Sequence, residues 1–343
     1  MDKDENLLED VAVLNGSFGY GYMSGFEKIV FIVLQGLATG SLYGLIALGI
    51  VMIYKTSEVL NFAHGNMGMV IAFVSFRLME KFMVPLADAM GGAASSVPFL
   101  SWMGDGFIGS VIFACVLLVS FIGAFVLGMI VELTIRSAEE PNMLGLIVIT
   151  IGWWLMLDGA AIPVFGTQDH RMLEPLSHFK IYKLGNVPLN QLDVIIFSIT
   201  IVIIIIMFLF FRYARVGVAM RATSQNVDAA RLMAINTNRV FAFTWGISSM
   251  LGALAGILTA SKFFLNNSMM LYPFLKAFAA ATLGGLTSLP GAIVGGWILG
   301  VSENLFGRYV SMELKTPFAF LVIVLVLAVR PSGLLARHYE KKV

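Results

Sequence analysis

Charge is scarce in this chain. Only 13% of its 343 residues are Asp, Glu, Lys or Arg, against roughly 25% in an ordinary soluble domain. So little polar surface cannot cover a globule of this size, which excludes a soluble enzyme. Disorder is excluded too, because it needs low hydrophobicity and high charge, whereas 58% of these residues are hydrophobic and mean hydropathy is +0.87. A net charge of +1 gives no basic surplus for a nucleic-acid partner. Cysteine occurs once, as Cys115 inside an apolar run, so no disulfide framework exists and the thiol reads as a small core hydrophobe. The four histidines, 64, 170, 178 and 338, are scattered without metal-ligand spacing, so no metal site is expected. A G-x4-G-K-[ST] loop is missing: Lys55-Thr56 and Lys315-Thr316 have no such glycines before them. No nucleophile–base pair stands out, so neither catalysis nor a bound cofactor is expected of this chain.

What the chain has is apolar sequence in long runs. A bilayer core of about 30 Å takes about 20 apolar residues as a helix. Runs free of acid, lysine and arginine cover Ile29–Tyr54, Val59–Phe76, Gly106–Val131, Pro141–Leu157, Val194–Phe211, Val240–Ser261, Ala277–Ser302 and Thr316–Val329. Lipid cannot satisfy open backbone groups, and the two-residue alternation of a membrane barrel is absent from Ile195–Phe211. The eight runs therefore predict an all-α polytopic membrane protein with eight to ten transmembrane or re-entrant helices. Residues 1–28 read as an acidic and polar N-terminal tail without the basic start of a signal peptide. Residues 29–330 form the transmembrane domain, and 331–343 a basic tail.

Arginine sets the orientation. Arg212, Arg215, Arg221, Arg231 and Arg239 crowd one loop with a single acid, Asp228. That loop, 212–239, is expected in the cytoplasm. The tail with Arg330, Arg337, Lys341 and Lys342 is expected there as well. An even number of crossings must separate them, yet only three apolar runs do. Ala277–Ser302 resolves the parity, because Gly284-Gly285 and Ser288-Leu289-Pro290-Gly291 interrupt it. Two short helices or a re-entrant pair, joined near Ser288–Gly291, are expected, with an ordinary surface loop between two spans as the alternative. Broken backbone at membrane depth survives only beside protein or a wet cavity, which makes this segment a candidate pathway lining. The near-neutral stretches 77–105 and 164–193 are expected as outer loops.

Glycines four apart, Gly36-x3-Gly40-x3-Gly44, Gly252-x3-Gly256 and Gly291-x3-Gly295, bring helix backbones close, either within the chain or between subunits. Asn61 and His64, three apart with Gly65 beside them, are expected on one helix face. They serve either a passing solute or neighbouring helices. Asp158 and Lys262 read as interface or snorkelling residues.

Three stretches together resemble one family. They are Gly40-Ser41-Leu42-Tyr43-Gly44 with Asn61-Phe62-Ala63-His64-Gly65; Met220-Arg221-Ala222 through Asp228-Ala229-Ala230-Arg231-Leu232-Met233-Ala234; and Lys276-Ala277-Phe278 with Leu283-Gly284-Gly285-Leu286, Leu289-Pro290-Gly291-Ala292 and Arg330-Pro331-Ser332-Gly333-Leu334. Over about residues 26–337 the chain is similar to the permease subunits of branched-chain amino-acid ABC importers of the LivH type. The resemblance implies a multi-pass protein of the bacterial inner membrane, working by alternating access. It also implies a sister permease, two cytoplasmic ATPase subunits that hydrolyse the ATP, a periplasmic substrate-binding protein and surrounding lipid. A substrate pathway would run past Asn61, Phe62, His64, Gly65, Gly284, Gly285, Pro290 and Gly291. Asp228-Ala229-Ala230-x3-Ala234 resembles the loop by which importer permeases dock on their ATPases, with Arg221 and Arg231 beside it. Ala234 departs from that pattern, where glycine is usual. Substrates other than branched-chain amino acids, such as urea or short amides, remain alternatives. An ion-coupled secondary transporter is disfavoured, since the runs hold almost no acid beyond Asp158 and, at their ends, Glu58 and Glu303. A passive channel is disfavoured because it needs no ATPase dock.

Overall fold

A computed structural model describes residues 24–94, 98–138, 142–172, 181–184, 187–330 and 333–335, with side chains left undescribed at 82–94, 98–112, 181, 183 and 184. Nearly all of the acidic tail and most of the basic tail lie outside the described residues. Within them the chain is an all-α polytopic membrane protein, and each of the eight apolar runs contains a helix.

The first helix, α1 (Gly25–Ser57), starts at a capping box: Ser24 Oγ accepts from the Glu27 amide and Glu27 Oε2 accepts from the Ser24 amide. It runs unbroken to Glu58, whose left-handed backbone ends it. Next come α2 (His64–Ala94), α3 (Pro98–Arg136) and α4 (Met143–Phe165). The stretch 77–105 is therefore mostly helical rather than an open loop; Arg77 and Glu80 pair one turn apart at 2.7 Å on the continuing helix. A small antiparallel ribbon, β1 (Ile181–Leu184) and β2 (Val187–Asn190), precedes α5 (Gln191–Tyr213). Two short helices, α6 (Arg215–Gln225) and α7 (Val227–Leu232), lead into α8 (Thr237–Lys262). The broken run becomes α9 (Leu271–Gly284) and α10 (Leu289–Tyr309), bent by 119°. The last helix, α11 (Lys315–Val329), takes only Lys315 from upstream of its apolar run.

Among the described residues five helices are long and apolar enough to cross a bilayer, and the α9–α10 pair counts as a sixth if taken as one span. Helix α1 lies at the centre, buried almost all round from Ala38 to Ile53. Such a helix belongs in an interior. By contrast α4, α5 and α11 expose Leu144, Val148, Val202, Phe208, Leu321 and Val324, as lipid-facing helices do.

Small residues let the centre close. A Cβ on Gly40 would stand 2.5 Å from the Gly296 carbonyl oxygen, and one on Gly36 2.7 Å from Val301 Cα. Gly44 faces Ile293, Gly256 meets the Gly68 carbonyl, and Gly295 meets that of Ala280. All these approaches are between helices of one chain.

Candidate functional site

The interior site begins at a turn. Residues 58–63 leave the helix: the Asn61 side chain accepts from the Ala63 amide at 3.0 Å and reaches Met67 Sδ at 3.5 Å. Asn61 thus competes for the backbone and holds a turn. It does not share a helix face with His64, which opens α2; the expected common face is corrected. His64 is fully buried, with its ring against Gly49 and Gly252, where a Cβ would come within 2.6 and 3.0 Å. Gly49 lies eight residues before the end of α1, about 12 Å into the bundle at 1.5 Å per residue. Helix α2 therefore starts deep. Neither His64 ring nitrogen has a hydrogen-bond partner among the described residues. Beside it, Phe62 meets the rings of Phe274 and Phe278 on α9, each at 6.4 Å between centroids. Gly65 makes room for Phe274, whose Cβ would lie 3.0 Å from an added methyl.

Between α9 and α10 the chain bends by 119°. Gly285 has φ 103°, a conformation that favours glycine. Ser288 caps α10, accepting from the Gly291 amide at 3.1 Å, with Pro290 in the first turn where its missing amide costs nothing. Gly284 and Gly291 sit backbone to backbone, and a side chain on either would overlap the other's carbonyl. The orphan carbonyls ending α9 are satisfied by the C-terminal segment: Leu334 donates to Leu283 at 2.8 Å and Leu335 to Gly284 at 3.1 Å.

Two ion pairs were not foreseen from sequence. Lys276 on α9 donates to Glu303 on α10, with the Lys276 ammonium 5.7 Å from the centre of the Tyr43 ring on α1. Glu303 is fully buried and Lys276 nearly so. Lys262, expected at an interface, instead bonds Asp193 at 2.6 Å and Thr39 at 3.2 Å, tying α8, α5 and α1. Lys315 donates to Asn304 at 2.6 Å. A lysine and a glutamate 27 residues apart carry no signal until the hairpin closes them together.

At the opposite end lies the arginine loop. Asn226 caps α7, its Oδ1 accepting from the Ala229 amide at 3.0 Å. Asp228 and Ala229 are exposed, as are Arg221, Arg231 and Ala234. Arg231 pairs with Asp228 at 3.5 Å and donates to Thr237 at 3.2 Å. Ala230, expected in the docking loop, is turned into the protein and is not part of its exposed face. Leu232 and Met233 project instead, 87% and 78% exposed. Ala234 has φ 60°, which explains why glycine suits the position: the need is backbone handedness, not room for docking. Met220, Arg221 and Ser224 of α6 line a small cleft with Lys55 and Thr56 of α1 and Leu289 at the break. The loop thus packs on α1 and faces the start of α10 across this cleft. Among the described residues no three His, Cys, Asp or Glu converge as metal ligands.

A sequence profile of the family described as branched-chain amino acid transport system / permease component matches residues 32–327. The high-affinity branched-chain amino acid transport system permease protein LivH of Salmonella typhimurium is 32% identical, over 90% of this chain and 96% of its own. The corresponding permease protein BraD of Pseudomonas aeruginosa is 31% identical, over 90% of this chain and 96% of its own. A probable branched-chain amino acid permease, LivH of Methanocaldococcus jannaschii, is 24% identical over 92% of this chain and 94% of its own.

Proposed function

Because the chain belongs to the family of branched-chain amino acid transport permease components, we propose that it is the membrane-spanning subunit of an ABC importer carrying branched-chain amino acids inward. It is a transport component and not an enzyme. Its site is the Bacterial inner membrane, with the 212–239 loop and the C-terminus in the cytoplasm. The partners are a sister permease, two ATPase subunits that hold the ATP, and a periplasmic binding protein.

One observation carries the coupling mechanism: α6 packs on α1 and α8 and shares a cleft with Leu289 at the hairpin break. A push delivered to α6 and α7 by a closing ATPase reaches α1 and α8, the helices against which α6 is packed. Asp228, Ala229, Arg231, Arg221 and the exposed Leu232–Met233 tip form the docking face, while Ala230 and Ala234 shape the turn behind it. The pathway runs past Phe62, His64 and Gly65, held in place by Asn61, and past Gly284, Gly285, Pro290 and Gly291. Alternating access then amounts to tilting α9 and α10 against the deep start of α2.

The test is uptake by vesicles holding the permease pair, the ATPases and the binding protein. Leucine accumulation that requires both ATP and the binding protein is the expected result. Accumulation without ATP would sink the importer reading. Urea or acetamide entering in place of leucine would move the substrate to the small amides.

A further inference from the structure

Lys276 and Glu303 form a charged pair that neither helix packing nor ATPase docking requires. Taking two charges out of water costs several kcal/mol per ion, and an apolar pair of similar volume often serves stability as well or better. Ionisable groups inside a membrane protein mark solute paths by default. The pair stands on the two arms of the broken hairpin, five residues into α9 and six before the end of α10. At 1.5 Å per residue that is about 8–9 Å inside the end opposite the arginine loop. Around it the arms meet through small residues, Ala277, Ala280 and Gly295, which offer little resistance to parting. Glu303 Oε2 is buried and makes no close hydrogen bond among the described residues, with the Tyr43 hydroxyl of α1 beside the carboxylate.

Opening such a pair strands two charges unless the incoming solute brings both signs. A neutral amide brings neither, and a simple ion satisfies only one partner. An amino-acid zwitterion satisfies both: its carboxylate takes the Lys276 ammonium, and its own ammonium takes Glu303. No unpaired charge arises at any stage, so the exchange avoids the penalty that would otherwise hold the arms shut. We propose that Lys276 and Glu303 are the pair that reads the cargo's two charges, admitting zwitterions and rejecting neutral or singly charged solutes. The inference rests on the import reading above. It adds two residues and a selection rule to that reading.

Three variants test it: Lys276→Met/Glu303→Leu, the swap Lys276→Glu/Glu303→Lys, and Glu303→Gln. Leucine uptake is measured in cells carrying the complete transporter and expressed per permease molecule in the membrane. Both double variants lack a buried unpaired charge, and the swap also keeps a pair while reversing its polarity. The apolar double variant is expected to lose at least tenfold per molecule, and the swap to keep more uptake than it, because a zwitterion can turn round to meet a reversed pair. A merely structural latch works equally well apolar, so uptake per molecule within twofold of wild type in the apolar double variant overturns the proposal. Glu303→Gln strands the Lys276 ammonium and is expected to be at least as impaired as the apolar variant. Should both doubles be lost from the membrane, the pair serves assembly and the proposal is overturned. A wild-type transporter that moves only neutral solutes would instead sink the import reading, and that outcome needs no variant to detect.

Discussion

Two acid–base pairs, Lys276–Glu303 and Arg231–Asp228, occupy opposite ends of this molecule and teach opposite lessons. The Glu303 side chain is 1% exposed, whereas that of Asp228 is 88% exposed. An exposed pair at 3.5 Å contributes between nothing and about 1 kcal/mol, because water screens it and two long side chains must be ordered. A buried pair is costly to assemble and costlier to break. The same residue types therefore do different things. At the buried end the two charges on α9 and α10 must satisfy each other, because water cannot. At the exposed end it leaves a surface free for another protein.

The sharpest way to break the comparison is to remove one partner at each end. Lys276→Met leaves a buried carboxylate, with an expected loss of about 3–5 kcal/mol. In detergent this appears as a large fall in the thermal midpoint, and the double replacement Lys276→Met/Glu303→Leu recovers most of it. Arg231→Met should shift the same midpoint by an amount equivalent to less than about 1 kcal/mol. Equal losses at the two ends would mean that burial does not govern them.

A second probe replaces charge with volume. Gly291→Leu drives a side chain into the Gly284 backbone, where nothing flexible can yield. A destabilisation of about 2–3 kcal/mol is expected, read as reduced recovery of folded protein. Beside it, His64→Ala empties a cage between Gly49 and Gly252 without breaking any hydrogen bond among the described residues. Uptake is expected to fall more than membrane abundance; equal losses would assign His64 to packing alone.

At the exposed end stability and activity should separate. Asp228→Lys and Leu232→Asp change solvent-facing groups, so stability should stay within about 0.5 kcal/mol. Uptake should nevertheless drop at least tenfold, because the docking face has changed charge or lost its apolar tip. Undiminished uptake in both would remove the docking role from α7.

How much of this could be read from sequence follows the same division. Apolar runs reveal helices because lipid enforces them, and Ser288-Leu289-Pro290-Gly291 reveals the break because proline and glycine act locally. The cap of α7 is local in the same way, Asn226 lying three residues before Ala229. Non-local pairing was not legible. Lys276 was one letter of a motif and Glu303 stood near the end of a run; only the 119° return of the chain joins them. Lys262 looked like a snorkelling residue until Asp193, 69 residues away, arrived beside it. Asn61 misled because its spacing from His64 fits a helix, while its side chain bonds the backbone of a turn.

Ala234 gives the finest test, because its effect is confined to one backbone angle. An alanine at φ 60° strains the chain by about 1–2 kcal/mol relative to the right-handed region. Glycine removes that strain but loses about 0.5–1 kcal/mol of its own on ordering. The two nearly offset, so Ala234→Gly should stabilise the protein by only about 0.5 kcal/mol. The residue is exposed and Leu232 and Met233 keep their positions, so uptake should stay within twofold of wild type. The partner substitution Ala234→Val asks a β-branched residue to hold the same angle and should be clearly worse than alanine on both measures. A valine variant indistinguishable from wild type in midpoint and uptake would show that the turn before α8 tolerates another backbone. The distinction between a rigid docking platform and a pliable loop would then fall on the side of the loop.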